Sequence, residues 1–245
     1  MPNLELLDVI YYSDPNIFQI NVERTAKKLR TAGGSRKSYD MAISPIPNIV
    51  SGIQKLEDLK AYWKSHKDEA WHPHLEDVGT RIFEIFSKEV CKWYPTGRRP
   101  VDSVGGLRIK PAIRGIKVAN HVAFPCLINP RSSVILDPAM ARPFVARGIY
   151  ELHVRDATGL FRPMIIDLGK QKGIRANRIY YPSDADMISV EKFEEIMRSF
   201  NLALVEAGFT SNKPASAIDL FRSTMFWDIS PFLWERRASA SARRE

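Results

Sequence analysis

Along the first third of the chain, apolar positions repeat with helical spacing. Asp14 offers a cap and Pro15 a first helical position, and Ile17, Ile20, Val22 and Leu29 predict a helix to about Arg30. "TAGGSRKS" ends it with glycines, and "ISPIPN" reads as a rigid extended connector. Residues 54–66 and 75–93 are expected to be helices, the second burying Val78, Ile82, Phe83, Ile85, Phe86 and Val90. From 107 to 168 the texture changes to short β-branched runs: "VANHVAFPCLI", "SSVIL", "GIYELHV" and "FRPMIIDL". The last two flank "RDATGL" and suggest a hairpin, with helix in places left open as the alternative. Helical spacing returns after Ser189, with Phe193, Ile196, Met197, Phe200, Leu202 and Leu204 leading to a stop at Gly208. A shorter helix is expected over about 215–225, and "RRASASARRE" reads as a disordered basic tail.

Both ends break the usual polar pattern. Leu4, Leu6, Leu7, Val9 and Ile10 precede the first capped helix, and Phe226, Trp227, Phe232, Leu233 and Trp234 follow the last core helix. Burying one large apolar side chain contributes roughly 1.5–3 kcal/mol, so such ends are expected to find a surface. That surface is either the chain's own core or, as in arm exchange, a neighbouring copy.

A chain of 245 residues, 44% hydrophobic and 26% charged, is long enough for one large domain or two smaller lobes. The Pro/Gly-rich loop "YPTGRRPVDSVGG" (94–106) is the candidate boundary between lobes. No apolar run reaches the roughly 18 residues of a membrane span, and the opening "MPNLELLDV" lacks the pattern of a secretory leader. Cys91 and Cys126 cannot build a disulfide framework or a four-ligand zinc site, so a reducing, cytoplasmic setting is expected.

Charge changes the picture more. The net charge is +8, but residues 95–181 hold 15 Lys and Arg against 5 Asp and Glu, and the remainder is close to neutral. A concentrated positive field attracts a polyanion, nucleic acid first and an anionic membrane surface second. Within "LGKQKGIRANRIYY" (168–181), Lys170, Lys172, Arg175 and Arg178 run into Tyr180 and Tyr181 with no acid among them. Cations neutralise phosphates while tyrosine faces stack on unpaired bases, which is what single-stranded nucleic acid requires. Arg98, Arg99, Arg108, Lys110, Arg114 and Lys117 are expected to form one wall of a groove, with Arg142, Arg147 and the 168–181 segment opposite.

Enzyme signatures are sparse. "WHPHLED" gathers His72, His74, Glu76 and Asp77, but no distant third ligand stands out, so no metal or other cofactor is expected. No phosphate-binding glycine loop, Gly-x-Ser-x-Gly or Cys-x-x-Cys occurs. The alternative is a metal-dependent nuclease or other nucleic-acid-processing enzyme built on Glu151, Asp167 and Lys170, whose paired carboxylates would hold a divalent ion against phosphate. A basic matrix or adaptor protein that engages membrane is the third reading.

Several short segments, in order, are similar to nucleocapsid proteins of orthobunyavirus-like negative-strand RNA viruses. They are "LELLDV" (4–9), Asp14-Pro15, "SYD" (38–40), "IKP" (109–111), "GIY" (148–150) and "LALVEAGFTSNKPASAIDLF" (202–221). The resemblance implies a mainly α fold with a few short strands, two lobes (14–106 and 107–225) flanking a basic RNA-binding cleft, and extended arms at 1–13 and 226–245. It further implies a non-enzymatic nucleoprotein that encapsidates single-stranded viral RNA without strong sequence preference. Leu4, Leu6, Leu7, Val9, Ile10, Phe226, Trp227, Phe232, Leu233 and Trp234 would then join copies into tetramer-like rings or filaments. The viral RNA polymerase would be a further partner, the virion interior and host cytoplasm the location, and membrane insertion no part of the role. The chain departs from that pattern at Ser13, where the family has an aromatic residue, and across 41–94.

Overall fold

The computed structural model describes residues 4–9, 15–30, 39–96, 102–104, 107–110, 113–131, 136, 139, 141–153, 161–171, 174–175 and 177–208. In chain order its elements are β1 (Leu4–Glu5), α1 (Pro15–Arg30), α2 (Asp40–Ile43), α3 (Ile46–Val50), α4 (Leu56–Lys64) and α5 (His72–Phe86). There follow β2 (Lys92–Pro95), β3 (Asp102–Val104), β4 (Leu107–Lys110), β5 (Ile113–Ala119), β6 (Val122–Asn129) and α6 (Ala141–His153). The last are β7 (Met164–Asp167), β8 (Lys170–Gln171), β9 (Ile174–Arg175), β10 (Arg178–Tyr180) and α7 (Val190–Glu206).

The organising element is a five-stranded mixed sheet in the order β10-β7-β6-β5-β2. Strands β6 and β7 run parallel, and the other neighbours are antiparallel. Antiparallel β5 and β6 join through Asn120 and His121, both at positive φ (50° and 63°), the backbone that a tight hairpin turn requires. Parallel β6 and β7 cannot join that way; they need a crossover, and α6 supplies it.

Each strand sends alternate side chains to opposite faces, so one sheet serves two cores. Ile113, Ile116, Ala123, Leu127 and Ile165 pack with α1, α6 and α7. Trp93, Cys126, Ile128, Met164, Ile166 and Leu168 pack with α2, α3 and α5. Helix α5 buries Leu75, Val78, Ile82, Ile85 and Phe86, and Gly79 leaves room for Trp63 of α4; a Cβ there would sit 2.1 Å from the indole. Ser189 caps α7 by accepting from the Lys192 amide at 3.2 Å.

This architecture overturns the mainly α, two-lobed expectation. Strand β2, which lies before the supposed lobe boundary, pairs along its length with β5 beyond it, and α1 packs on α7. Local readings fail for related reasons. "GIYELH" is helix rather than strand, because Phe144, Val145, Ile149 and Leu152 turn one apolar face to the sheet. "IPNIV" is the short helix α3, with proline accommodated in its first turn, where no amide donor is needed. Helix α5 ends at Phe86, and Val90 is 98% exposed instead of lying on the buried stripe; Leu202, one of the apolar positions of α7, is 62% exposed.

Of the expected 1–13 arm, the described residues 4–9 do not reach outward. Strand β1 pairs in parallel with β4, which pairs antiparallel with β3 in a small second sheet. Leu4, Leu6, Leu7 and Val9 are buried among α1, β4 and α6 of the same chain, and Leu6 fills the space over Gly148, where a Cβ would approach it to 2.5 Å. Two arginines fasten this strap. Arg131 donates to Glu5 at 2.6 Å and to Asp8 at 2.8 Å, and Arg114 reaches Glu5 at 3.5 Å and Asp40 at 3.4 Å. Burial would lower the Arg131 pKa, but the Asp8 and Glu5 carboxylates outweigh it and hold the pKa raised. These four residues therefore serve their own core. Ile10, Phe226, Trp227, Phe232, Leu233 and Trp234 lie outside the described residues.

Candidate nucleic-acid interface

Part of the concentrated charge of 95–181 is answered by carboxylates from earlier in the chain. Lys117, on β5, donates to Glu89 at 2.6 Å and to the Tyr181 hydroxyl at 3.1 Å. Burial would lower its pKa, but these partners leave it raised. Arg175 is 5% exposed. Its Nε donates to Asp77 of α5 at 2.8 Å and its Nη1 to the carbonyls of Pro130 and Leu168 at 2.9 and 2.6 Å. Lys170 meets the same Asp77 oxygen at 3.2 Å. Burial would raise the Asp77 pKa, but Arg175 and then Lys170 hold it below the ordinary carboxylate value. With Arg114 and Arg131 on the strap, five cations of the basic stretch are paired with Glu5, Asp8, Asp40, Asp77 and Glu89. Arg175 and Lys117 are thus structural cations, not groove walls: a buried, paired guanidinium or ammonium has no phosphate-facing side.

Among the described residues, the expected groove cations do not form two walls. Arg98, Arg99 and Lys172 lie outside the described residues, and Arg108 and Lys110 sit on β4 with only their backbone described. Arg147 turns inward, donating to Glu151 at 3.2 Å and to the Ile188 carbonyl at 2.7 Å. What the fold does gather is a patch along β10, the edge of the large sheet. The Arg142 guanidinium, from the first turn of α6, lies 3.6 Å from the Tyr180 ring centroid, a close cation–π stack. Arg178 shares that strand face two residues away. Tyr181 points to the other face, packs edge-on against Phe124 at 5.3 Å, and remains 47% exposed.

The alternative catalytic cluster is taken apart by the same geometry. Asp167, at the end of β7, is fully buried and accepts from Asn129 Nδ2 at 2.8 Å, the Gly169 amide at 3.0 Å and the Leu136 amide at 3.4 Å. Glu151 is held by Arg147 on α6, and Lys170 by Asp77 on α5. Three side chains with three separate sets of partners do not converge on one phosphate. The histidine-rich segment is equally occupied: His72 Nε2 meets the His66 carbonyl at 2.7 Å, His74 stacks on Trp71, and Glu76 pairs with Lys60. Among the described residues no group of three or more His, Cys, Asp or Glu is placed to hold a metal ion.

No family model and no curated protein matches this sequence. One solved structure does. It is titled "Putative exonuclease", from Eubacterium rectale, at 19% identity over 81% of this chain and 85% of that one, with a TM-score of 0.34. A superposition that poor carries no argument about what this chain does. Among the described residues, no helix is long and apolar enough to cross a membrane.

Sequence reading missed the residues that organise this region: Asn129, Arg131, Glu89, Glu5 and Asp8. Their only local signal was their polarity. Their roles depend on partners up to 126 positions away, as for Arg131 and Glu5.

Proposed function

We propose that this chain is a non-enzymatic nucleic-acid-binding protein that takes a single strand, RNA foremost, along the β10 edge. The observation that supports it is the Arg142–Tyr180 stack beside Arg178 and the exposed Tyr181, on a protein of net charge +8. Stacked guanidinium and phenol present a flat cationic surface to a base or phosphate, and on the opposite side of the strand Tyr181, 47% exposed, offers a second aromatic ring. Such contacts carry no base code, so binding is sequence-tolerant. Packaging of viral RNA in a nucleoprotein is the specific form that the sequence resemblance implies. Because the fold departs from that family's, the reading stands on charge and the edge patch, not on the resemblance.

The test is fluorescence anisotropy of a labelled oligouridylate against salt. Each phosphate neutralised on a single strand contributes a slope of about −0.7 in log K against log salt. Arg142→Ala with Arg178→Ala therefore flattens the slope by about 1.4, and Tyr181→Ala weakens binding roughly 5- to 150-fold, the equivalent of one lost stacking contact of about 1–3 kcal/mol. No binding at low salt, or a triple variant that binds like the wild type, sinks the reading.

A further inference from the structure

Tyr181 stands one residue past the last paired position of β10, Tyr180 opposite Ile165. Its place therefore depends on side chains more than on the sheet ladder. Two come from the sheet face beneath it. Phe124 of β6 meets the Tyr181 ring edge-on, with centroids 5.3 Å apart and planes at 71°. Lys117 of β5, directly opposite Phe124 in the ladder, donates to the Tyr181 hydroxyl at 3.1 Å.

Lys117 is itself fixed. Its side chain is buried, and its ammonium meets Glu89 at 2.6 Å. Burial would lower its pKa, but Glu89 and Tyr181 hold it raised, so the amine stays a protonated donor. The ammonium is 5.6 Å from the Tyr181 ring centroid but 3.1 Å from the hydroxyl, which puts it nearly in line with the ring's C–O bond. It grips the ring by its end and covers neither face. Glu89 already neutralises its charge, so it has little left to offer a phosphate.

We propose that Lys117 is a positioning residue of the nucleic-acid interface: it contacts no phosphate or base, and it holds the Tyr181 ring pre-ordered for stacking on an unpaired base. The inference rests on the single-strand reading above. A ring already held in place does not have to be ordered when the ligand arrives, and that raises affinity.

Anisotropy titration of a labelled oligouridylate against salt tests this with two variants. Tyr181→Phe keeps the ring and loses only the gripped hydroxyl. Lys117→Met with Glu89→Gln removes the ammonium together with its counter-charge, so the net charge stays at +8. Tyr181→Phe is expected to bind roughly 2- to 12-fold more weakly, the scale of ordering one side chain on binding, with the salt slope of the wild type. The charge-neutral pair should match it, and combining all three substitutions should add nothing, because both variants break one contact. Should the pair fail to fold, Tyr181→Phe decides alone. A contact that served only stability would lower the melt of Tyr181→Phe and leave its affinity unchanged. Wild-type affinity in Tyr181→Phe, with Tyr181→Ala weakened, therefore overturns the positioning role and leaves the base contact standing. A slope flattened by about 0.7 in the charge-neutral pair makes Lys117 a phosphate contact and overturns it too. Tyr181→Ala binding like the wild type overturns the inference along with the stacking contact on which it rests.

Discussion

Deleting residues 1–9 separates a built-in strap from an exchanged arm. The strap buries Leu4, Leu6, Leu7 and Val9 in the core of its own chain. At about 1.5–3 kcal/mol each, these four contribute roughly 6–12 kcal/mol. That is an upper figure, since a denatured chain already covers some of this surface. A domain's whole stability is about 5–15 kcal/mol, so the loss is of the same order as the total. It comes together with the β1–β4 pairing and both carboxylates that face Arg131. The truncated chain should therefore fail to show a cooperative melt, or melt far below the full chain, by circular dichroism. A graded version keeps the experiment readable: Leu6→Ala should cost about 2–5 kcal/mol, because its site over Gly148 is tightly filled. For a chain of this size that lowers Tm by roughly 4–20 °C. An arm engaged with neighbours predicts the opposite pattern. If truncation leaves the melt intact and only reduces the mass seen by light scattering, the strap account is wrong.

Two further outcomes follow from the polar clusters. Asp167→Ala removes the shared acceptor of Asn129, Gly169 and Leu136 and should cost at least about 1–3 kcal/mol in urea denaturation; magnesium-dependent RNA cleavage present in the wild type and lost in this variant would instead restore a catalytic role. Asp77 has a folded pKa below its ordinary 3.8, so the stability it adds is fully present above about pH 4 and is lost as pH falls through the folded value. The stability gap between wild type and Asp77→Asn should accordingly be constant from pH 5 to 7 and shrink toward pH 2. A gap that does not change over that range contradicts the Arg175–Asp77–Lys170 assignment.

Periodic helices were legible in the chain itself. Residues 15–30, the first part of 75–93 and the segment after Ser189 carry apolar stripes long enough to exclude a strand, and their caps and stops are local: Pro15, Ser189 and Gly208. Short apolar runs were not. "GIYELHV" has the composition of a strand and became the α6 crossover, because a parallel β6–β7 pair needs one and Phe144, Val145 and Ile149 face the sheet. Proline misled in the other direction at 46–50, where its cost vanishes in a first helical turn.

The candidate site divides the same way. Sequence by itself determined the net positive charge, its concentration in 95–181, and the adjacency of Arg178, Tyr180 and Tyr181 in one short segment. Which cations are available to a partner was decided only by tertiary structure. Glu5, Asp8, Asp40, Asp77 and Glu89 lie well before the cations they neutralise, and Arg142 meets Tyr180 from 38 positions away. Local composition fixes how much charge a segment carries, but the field it projects depends on which opposite charges folding brings within a few ångströms, and Coulomb attraction is indifferent to separation along the chain.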